Sequence, residues 1–160
     1  MHQNSSAMSN MKENHYPKLL IMAILSFVSM YVLMYSMVNT IGNVFNNFNQ
    51  FYMAGMMTAP MVVFELLLMG SMYPDKRLNV VILLVSLITL VGFFLFIRQQ
   101  TAIGDNQFLR AMIPHHSGAI LMCEQSSLQD PEIQALCDSI ILSQQGEIDQ
   151  LKAILQRLDQ

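Results

Sequence analysis

The sequence has little charge: only 12% of its 160 residues are Asp, Glu, Lys or Arg, about half the share that soluble domains carry. The shortage is local. Between Lys18 and Asp75 the only charged side chain is Glu65, and between Arg77 and Arg98 there is none. Uncharged apolar stretches longer than about 18 residues indicate transmembrane helices. Three stretches qualify: Leu19–Val38, Phe51–Met72 and Leu78–Ile97.

These spans divide the chain into three parts. Residues 1–18 are polar and are expected to be a disordered N-terminus. Residues 19–97 form the predicted membrane domain, and its first span is read as a retained anchor because no small-x-small cleavage pattern follows it. Residues 98–160 have the composition of a water-soluble helical tail, with four basic and eight acidic side chains.

Basic residues in short loops predict the orientation, because such loops stay in the cytoplasm. Lys12 and Lys18 precede the first span, and Lys76 and Arg77 lie between the second and third. Three crossings then place the tail outside the cytoplasm. We therefore expect an inner (plasma) membrane protein with a cytoplasmic N-terminus and an extracytoplasmic tail. Arg98, which flanks the third span on the tail side, argues weakly for the opposite orientation.

Several motifs are missing. Nothing is basic enough to suggest nucleic acid, and the sequence has no C-x-x-C, glycine-rich phosphate loop or H-E-x-x-H. The Glu-x-x-His pattern of di-iron bundles is absent too, since Ile113 stands three residues before His116 and Gln150 three after Glu147. We therefore expect no enzyme activity.

The tail reads as an antiparallel helical hairpin. Gly104-Asp105 offers a first helix start, and Pro114 predicts a kink or a fresh start within that helix. Asp130-Pro131-Glu132 is a strong start for the second helix, with an Asp cap followed by Pro. The loop between the two helices is short, so the helices must pack against each other in antiparallel orientation.

With the turn near residue 130, facing residues have numbers that sum to about 260. His116 should face Gln144, and Met112 should lie near the level of Glu147. Cys123 should face Cys137. In an oxidising compartment these two cysteines should form a disulfide; two free core thiols or a thiolate copper site are the alternatives.

Two adjacent histidines and nearby methionines interrupt the apolar stripe of the first helix. His116 follows Met112 by four residues, on the same face, and His115 points sideways from it. Together with Glu147 they predict a copper site, because imidazole suits copper and thioether selects Cu(I). Glu147 would be either a carboxylate ligand or the residue that holds the His116 ring in its ligating tautomer. Met122 lies about 10.5 Å from His115 along the axis and would serve a second or intersubunit site. A satisfied polar layer, with Met as core filler, is the simpler alternative.

The same residues carry a family resemblance. "FLRAMIPHHSGAILM", "PEIQAL" and "IILSQQGEIDQL", between Phe108 and Leu158, resemble the family of domain of unknown function 305. The family pattern falls on Met112, His115, His116, Met122, Gln144 and Glu147. The resemblance implies a ferritin-like bundle outside the cytoplasm, with copper binding or resistance in some members. Two features depart from it: Leu151 stands where a Met is frequent, and the terminal Trp is absent.

The fold class predicted is all-α: three transmembrane helices followed by the hairpin. A hairpin of about 55 residues buries too little apolar surface to stand alone. It should pair with a second copy, giving half of a four-helix bundle per chain in a homodimer or higher oligomer, or lie against the spans. The function expected is extracytoplasmic copper buffering, delivery or resistance, with the bilayer and a copper-handling protein as partners; the alternative is a structural or interaction module without metal.

The membrane part holds two further candidates. Methionines cluster in the tail-side halves of the first two spans, either as substitutes for Leu or as a thioether path for Cu(I): Met30, Met34, Met37, Met53, Met56, Met57 and Met61. Glu65, alone in the hydrocarbon, is a functional candidate by default; a protonated acid bonded to Ser or Tyr is the alternative.

Overall fold

The computed structural model describes residues 15–160, which form five α-helices and no strand. The helices are α1 (Tyr16–Leu33), α2 (Phe48–Leu68), α3 (Lys76–Gln99), α4 (Asp105–Gln125) and α5 (Pro131–Leu158). Short 3-10 turns lie at Met34–Met37, Ile41–Asn43 and Gly70–Met72. The predicted all-helical order of three apolar helices and a hairpin is confirmed.

Three helices are long and apolar enough to cross a membrane. Their bounds differ from the predicted spans at several ends. The first begins at Tyr16 and continues through a 3-10 turn to Met37, and the second ends at Leu68, just before Gly70. Glycine gives up more backbone freedom in a helix than any other residue, which favours an end there. The expected disorder of residues 1–14 lies outside the described residues.

The membrane helices pack in sequence order, α2 between α1 and α3. Gly55 of α2 lies directly against the ring of Phe93 in α3, where a Cβ atom would overlap the ring. Phe93 is in turn surrounded by the rings of Phe51, Tyr52 and Phe96. This aromatic cluster joins α2 to α3 at the end nearest the tail.

The tail is the expected antiparallel hairpin. Gly104 is the N-cap of α4, and the side chain of Asp130 accepts hydrogen bonds from Glu132 N–H and Ile133 N–H at the start of α5. The α4 helix runs through Pro114 without a break, so it does not begin afresh there. Five residues form the hairpin core: Leu109, Ile113, Ile120, Ile148 and Leu155.

Cys123 of α4 and Cys137 of α5 form a disulfide, with their Cα atoms 5.3 Å apart. The disulfide prediction is confirmed, and the two alternatives, free core thiols and a thiolate copper site, are wrong for this structure. The bond lies near the turn, because the two cysteines flank residue 130 symmetrically. It therefore fixes the hairpin at its tip.

The hairpin packs on the connector between α1 and α2, residues 34–47, with its closest contacts midway along α4. Ser117 is fully buried; its hydroxyl accepts from Asn39 N–H at 2.8 Å and donates to the Asn39 side chain. Gly118 lies close to the Met37 carbonyl, and Phe45 packs against the hairpin core. The sequence left two ways to cover the hairpin, a second copy of the chain or the membrane spans. Within one chain the second is found: the hairpin lies against the membrane domain.

The two ends of the membrane helices have different neighbours. At the tail end, Phe48 N–H donates to Gln107 and the Tyr52 hydroxyl donates to the Thr101 carbonyl. At the other end, the Tyr16 hydroxyl donates to Asn79. The connector and the hairpin therefore share one side of the membrane domain, and the turn at 73–77 lies on the other.

Candidate metal centre

His116 is the one predicted ligand that is buried, with 7% of its surface exposed. Its Nε2 atom lies 2.6 Å from Glu147 Oε2 of α5. The Glu147 side chain is 47% exposed, and its other oxygen accepts from the Ser143 hydroxyl at 3.0 Å. The structure thus brings two of the five predicted site residues into direct contact.

This contact determines which nitrogen of the ring carries hydrogen. A carboxylate only accepts hydrogen bonds, so Nε2 is the donor and, in the neutral ring, Nδ1 keeps its lone pair. Nδ1 is buried and has no hydrogen-bond partner within residues 15–160. In metal proteins, a histidine ligand commonly donates a hydrogen bond from one ring nitrogen to a carboxylate, which orients the ring, and binds the metal through the lone pair of the other nitrogen.

The sum of 260 pairs His116 with Gln144, but the contact of His116 is with Glu147, the residue expected to hold its ring, which lies almost one helical turn farther from the tip. Side chains in helices lean toward the helix N-terminus. His116 therefore leans away from the tip and Glu147 leans toward it, so residues whose Cα atoms are staggered can meet.

The other predicted ligands lie on the outer side of α4. His115 is exposed, and its ring centre is 5.9 Å from that of His116. Met112 is half-buried, one helical turn before His116. Met122 is 54% exposed and about 9 Å from His116 along the axis. The structure therefore brings His115, His116 and Glu147 together, with Met112 one helical turn away and Met122 farther apart.

This outer side of the hairpin is an open apolar face. The connector covers the opposite side, where Ser117 and Gly118 lie. Large apolar side chains from both helices remain exposed along the hairpin: Phe108, Met122, Ile133, Leu136 and Leu158. We call this surface the open face, and His115 and Glu147 interrupt it midway along the hairpin.

A single chain offers few carboxylate, imidazole or thiolate groups that could bind one metal ion together. Within residues 15–160, no three His, Cys, Asp or Glu residues are close enough to hold one metal ion. The two cysteines are joined to each other and do not add thiolates. A complete site therefore needs the thioether of Met112, donors from outside the chain, or both.

Glu65 has a local partner. The Tyr73 hydroxyl donates to Glu65 Oε1 at 3.1 Å. Burial raises the pKa of the Tyr73 phenol, and the hydrogen bond to Glu65 raises it further. The alternative, a protonated acid bonded to Ser or Tyr on another span, is therefore confirmed only in that a Tyr is the partner: Tyr73 follows α2 in the chain and is the donor.

Sequence reasoning missed Asn39 and Ser117, which place the hairpin and with it His116. The connector sequence has no periodicity that would predict a contact. The adjacent small residues Ser117 and Gly118 are the one usable signal, because small side chains on a helix permit close approach of backbone.

The comparisons with known proteins agree with this architecture. The family model described as "Domain of unknown function (DUF305)" matches residues 97–155. Uncharacterized protein L153 of Acanthamoeba polyphaga mimivirus is 37% identical over 140 residues, which cover 86% of this chain and 90% of L153. A match of that extent includes α2 and α3, so the likeness to L153 extends into the membrane domain. No solved structure matches the chain. The chain belongs to the same family as L153, and its residues 97–155 match the DUF305 domain.

Proposed function

We propose that the protein is a membrane-anchored copper-binding protein that buffers, delivers or detoxifies copper outside the cytoplasm, without catalysis. The observation that carries this proposal is His116: its Nε2 is held by Glu147 at 2.6 Å while its buried Nδ1 has no partner within residues 15–160. A buried polar atom without a partner costs free energy unless a ligand satisfies it.

The residues around His116 fit copper better than other metals. Imidazole binds copper, zinc, iron and nickel alike, but a thioether selects Cu(I). Met112 supplies that thioether one turn away, and His115 adds a second imidazole. In this proposal His116 and Met112 bind the ion, His115 completes the set, and Glu147 orients His116. Bound copper would supply a soft cation that accepts these lone pairs.

A second copy of the chain would complete the site. The open face is apolar on both helices, as expected of a surface that packs in a helical bundle. Pairing two open faces would give a ferritin-like four-helix bundle with both histidine pairs near its middle. Met122, apart from His116 in its own chain, would then serve a second or intersubunit site.

Two features support an extracytoplasmic tail. The disulfide between Cys123 and Cys137 is the kind of bond that persists in oxidising compartments. Lys18, Lys76 and Arg77 lie at the end of the membrane domain away from the hairpin, where the distribution of basic residues favours the cytoplasm.

A structural or interaction module without metal is the second candidate. The observation in its favour is the same contact, because a histidine paired with a carboxylate is also a stable polar layer. In that case the open face would bind another protein or a second copy, and His115 would be an ordinary surface residue.

Copper binding by the purified full-length protein in detergent distinguishes the two. We expect Met112→Leu to weaken Cu(I) binding and leave Cu(II) nearly unchanged, and His116→Ala to weaken both. Met69→Leu, at an exposed position at the end of α2 and outside the methionine clusters, is the matched control for a lost thioether. If the Met112→Leu, His116→Ala double variant kept its helix content and bound copper with wild-type stoichiometry and affinity, the copper proposal would be wrong. The structural or interaction module without metal would then be the remaining candidate.

A further inference from the structure

A second candidate site lies at the base of the hairpin. A cavity of about 300 Å³ separates the connector from the lower ends of α4 and α5. Its polar wall contains Arg110, Lys152, Gln156 and Asp159, and its apolar wall contains Phe45 and Leu155. We call it the basal cavity; it lies outside the histidine site.

The two cations of the basal cavity differ in their partners. Arg110 Nε donates to Asn106 at 2.6 Å, and its guanidinium lies 3.6 Å from the Asp159 carboxylate. Asn106 also donates to Asp159 at 2.9 Å, so this network fixes Arg110 in place. Lys152 is half-buried and makes no ion pair with any residue from 15 to 160. The cavity therefore has one positive charge in excess.

The charge of the whole tail is distributed in the same direction. Its basic residues all lie toward the membrane domain: Arg98, Arg110, Lys152 and Arg157. Acidic residues surround the tip: Glu124, Asp130, Glu132 and Asp138. Asp105, Asp149 and Asp159 also lie toward the base, which therefore has four basic and three acidic residues, whereas the tip has acidic residues alone, so an anion is favoured at the base over the tip.

The basal cavity also lies close in the chain to the end of the third candidate span. Arg110 lies five residues after the start of α4, about 8 Å along its axis, and α4 begins six residues after α3 ends at Gln99. The headgroup layer of a bilayer extends roughly 5–8 Å beyond the hydrocarbon on each side. A phosphate on a lipid can therefore reach the cavity from the membrane surface.

We propose that the basal cavity binds a phosphate group, with Lys152 as its charge partner and Arg110 and Gln156 as further hydrogen-bond donors. Arginine and lysine are the usual side chains for phosphate, through charge-assisted hydrogen bonds. The apolar wall of Phe45 and Leu155 favours a phosphate that carries a hydrocarbon group. The source is then an anionic phospholipid, or free phosphate from the aqueous side.

Binding is measured with the full-length protein in two arms. In one, nanodiscs of phosphatidylcholine with or without phosphatidylglycerol are compared by native mass spectrometry for retained lipid. In the other, inorganic phosphate is titrated into phosphatidylcholine nanodiscs by calorimetry. Binding in the first arm identifies lipid as the source, and binding in the second alone identifies free phosphate; both support the site.

Substitutions test whether binding is specific to the cavity. We expect Lys152→Gln to weaken binding about tenfold, the usual effect of losing a charge-assisted hydrogen bond. Arg157→Gln removes the same charge from the same end of α5 at an exposed position outside the cavity, and should leave binding unchanged. Equal losses in both variants would indicate diffuse attraction and overturn the proposal, as would no binding in either arm.

A steric variant tests the cavity without altering charge. Gly42 lines the basal cavity, its φ is negative, and an added Cβ would meet nothing within 4 Å. Gly42→Leu should therefore fold and narrow the cavity, with loss of binding. Gly70→Leu, an equally open position at the other end of the membrane domain, is the control; unchanged binding in Gly42→Leu would contradict the site.

Discussion

Asn39 and Ser117, 78 residues apart, form two hydrogen bonds that join the connector to the hairpin. Ser117 is fully buried, and the atoms that satisfy its hydroxyl belong to Asn39 alone among the residues the structure describes. His116 precedes Ser117 directly. The position of the candidate site relative to the membrane therefore depends on this pair.

Ser117→Ala should destabilise the docked hairpin by about 1 kcal/mol, the net value of a typical hydrogen bond, because the half-buried Asn39 N–H loses its acceptor while the Asn39 side chain keeps the bond from Asn43. Thermal unfolding of the detergent-solubilised protein, followed by circular dichroism, measures the effect. Ser139→Ala, at an exposed position of α5, should change little. Equal stability of the two variants would show that Asn39 does not hold the hairpin.

Opening the disulfide should lower the stability of the hairpin by about 3 kcal/mol, the chain-entropy value for a loop of some 15 residues. Cys123 and Cys137 are separated by 14 positions. The Cys123→Ser, Cys137→Ser double variant should melt at lower temperature than wild type. Alkylation of unreduced protein should label neither thiol in wild type; full labelling would refute the bond.

Reporter fusions test the orientation of the membrane domain. Alkaline phosphatase should be active when fused after residue 45 or residue 104 and inactive after residue 75, because Lys76 and Arg77 keep their turn in the cytoplasm. The structure places the connector and the start of the hairpin on one side. Activity after residue 75 alone would invert the orientation and remove one support for the copper proposal.

Gly55→Ala should weaken the packing of α2 on α3, by about 1–3 kcal/mol as for other overpacked sites. The added methyl group would overlap the Phe93 ring, which Phe51, Tyr52 and Phe96 hold in place. Gly92→Ala on α3 meets open space and should be neutral or slightly stabilising. Resistance to unfolding in a denaturing detergent compares the two, and a neutral Gly55→Ala would mean that the ring moves aside freely.

Sequence patterns were sufficient wherever a single residue or a simple period carried the signal. Charge-free runs located the three apolar helices, and Asp130 with Pro131 marked the start of α5. The rule that facing residues have numbers summing to about 260 correctly paired Cys123 with Cys137. Both cysteines lie close to the turn, where a shift between the helices or a tilt of the side chains changes the pairing little.

The same arithmetic failed at His116, farther from the turn, because it treats side chains as perpendicular to the helix. The docking of the hairpin could not be predicted either. It depends on Asn39 of the connector, which bonds to Ser117, and on a connector folded so that Asn43 and Asn47, which are 3% and 5% exposed, form hydrogen bonds to residues between 39 and 50. A run rich in Asn is typical of a solvated loop, and only these contacts make its burial favourable.

The contact between Asn39 and Ser117 also sets an order of events during synthesis. The connector leaves the ribosome 78 residues before the serine that it binds, so its amide groups stay hydrated while α2, α3 and half of the hairpin are still being made. Docking therefore has to wait for α4, and the disulfide can form only after Cys137 of α5 has followed. A chain truncated before α4 would display an unpartnered polar connector, which gives cellular quality control a means of recognising incomplete molecules.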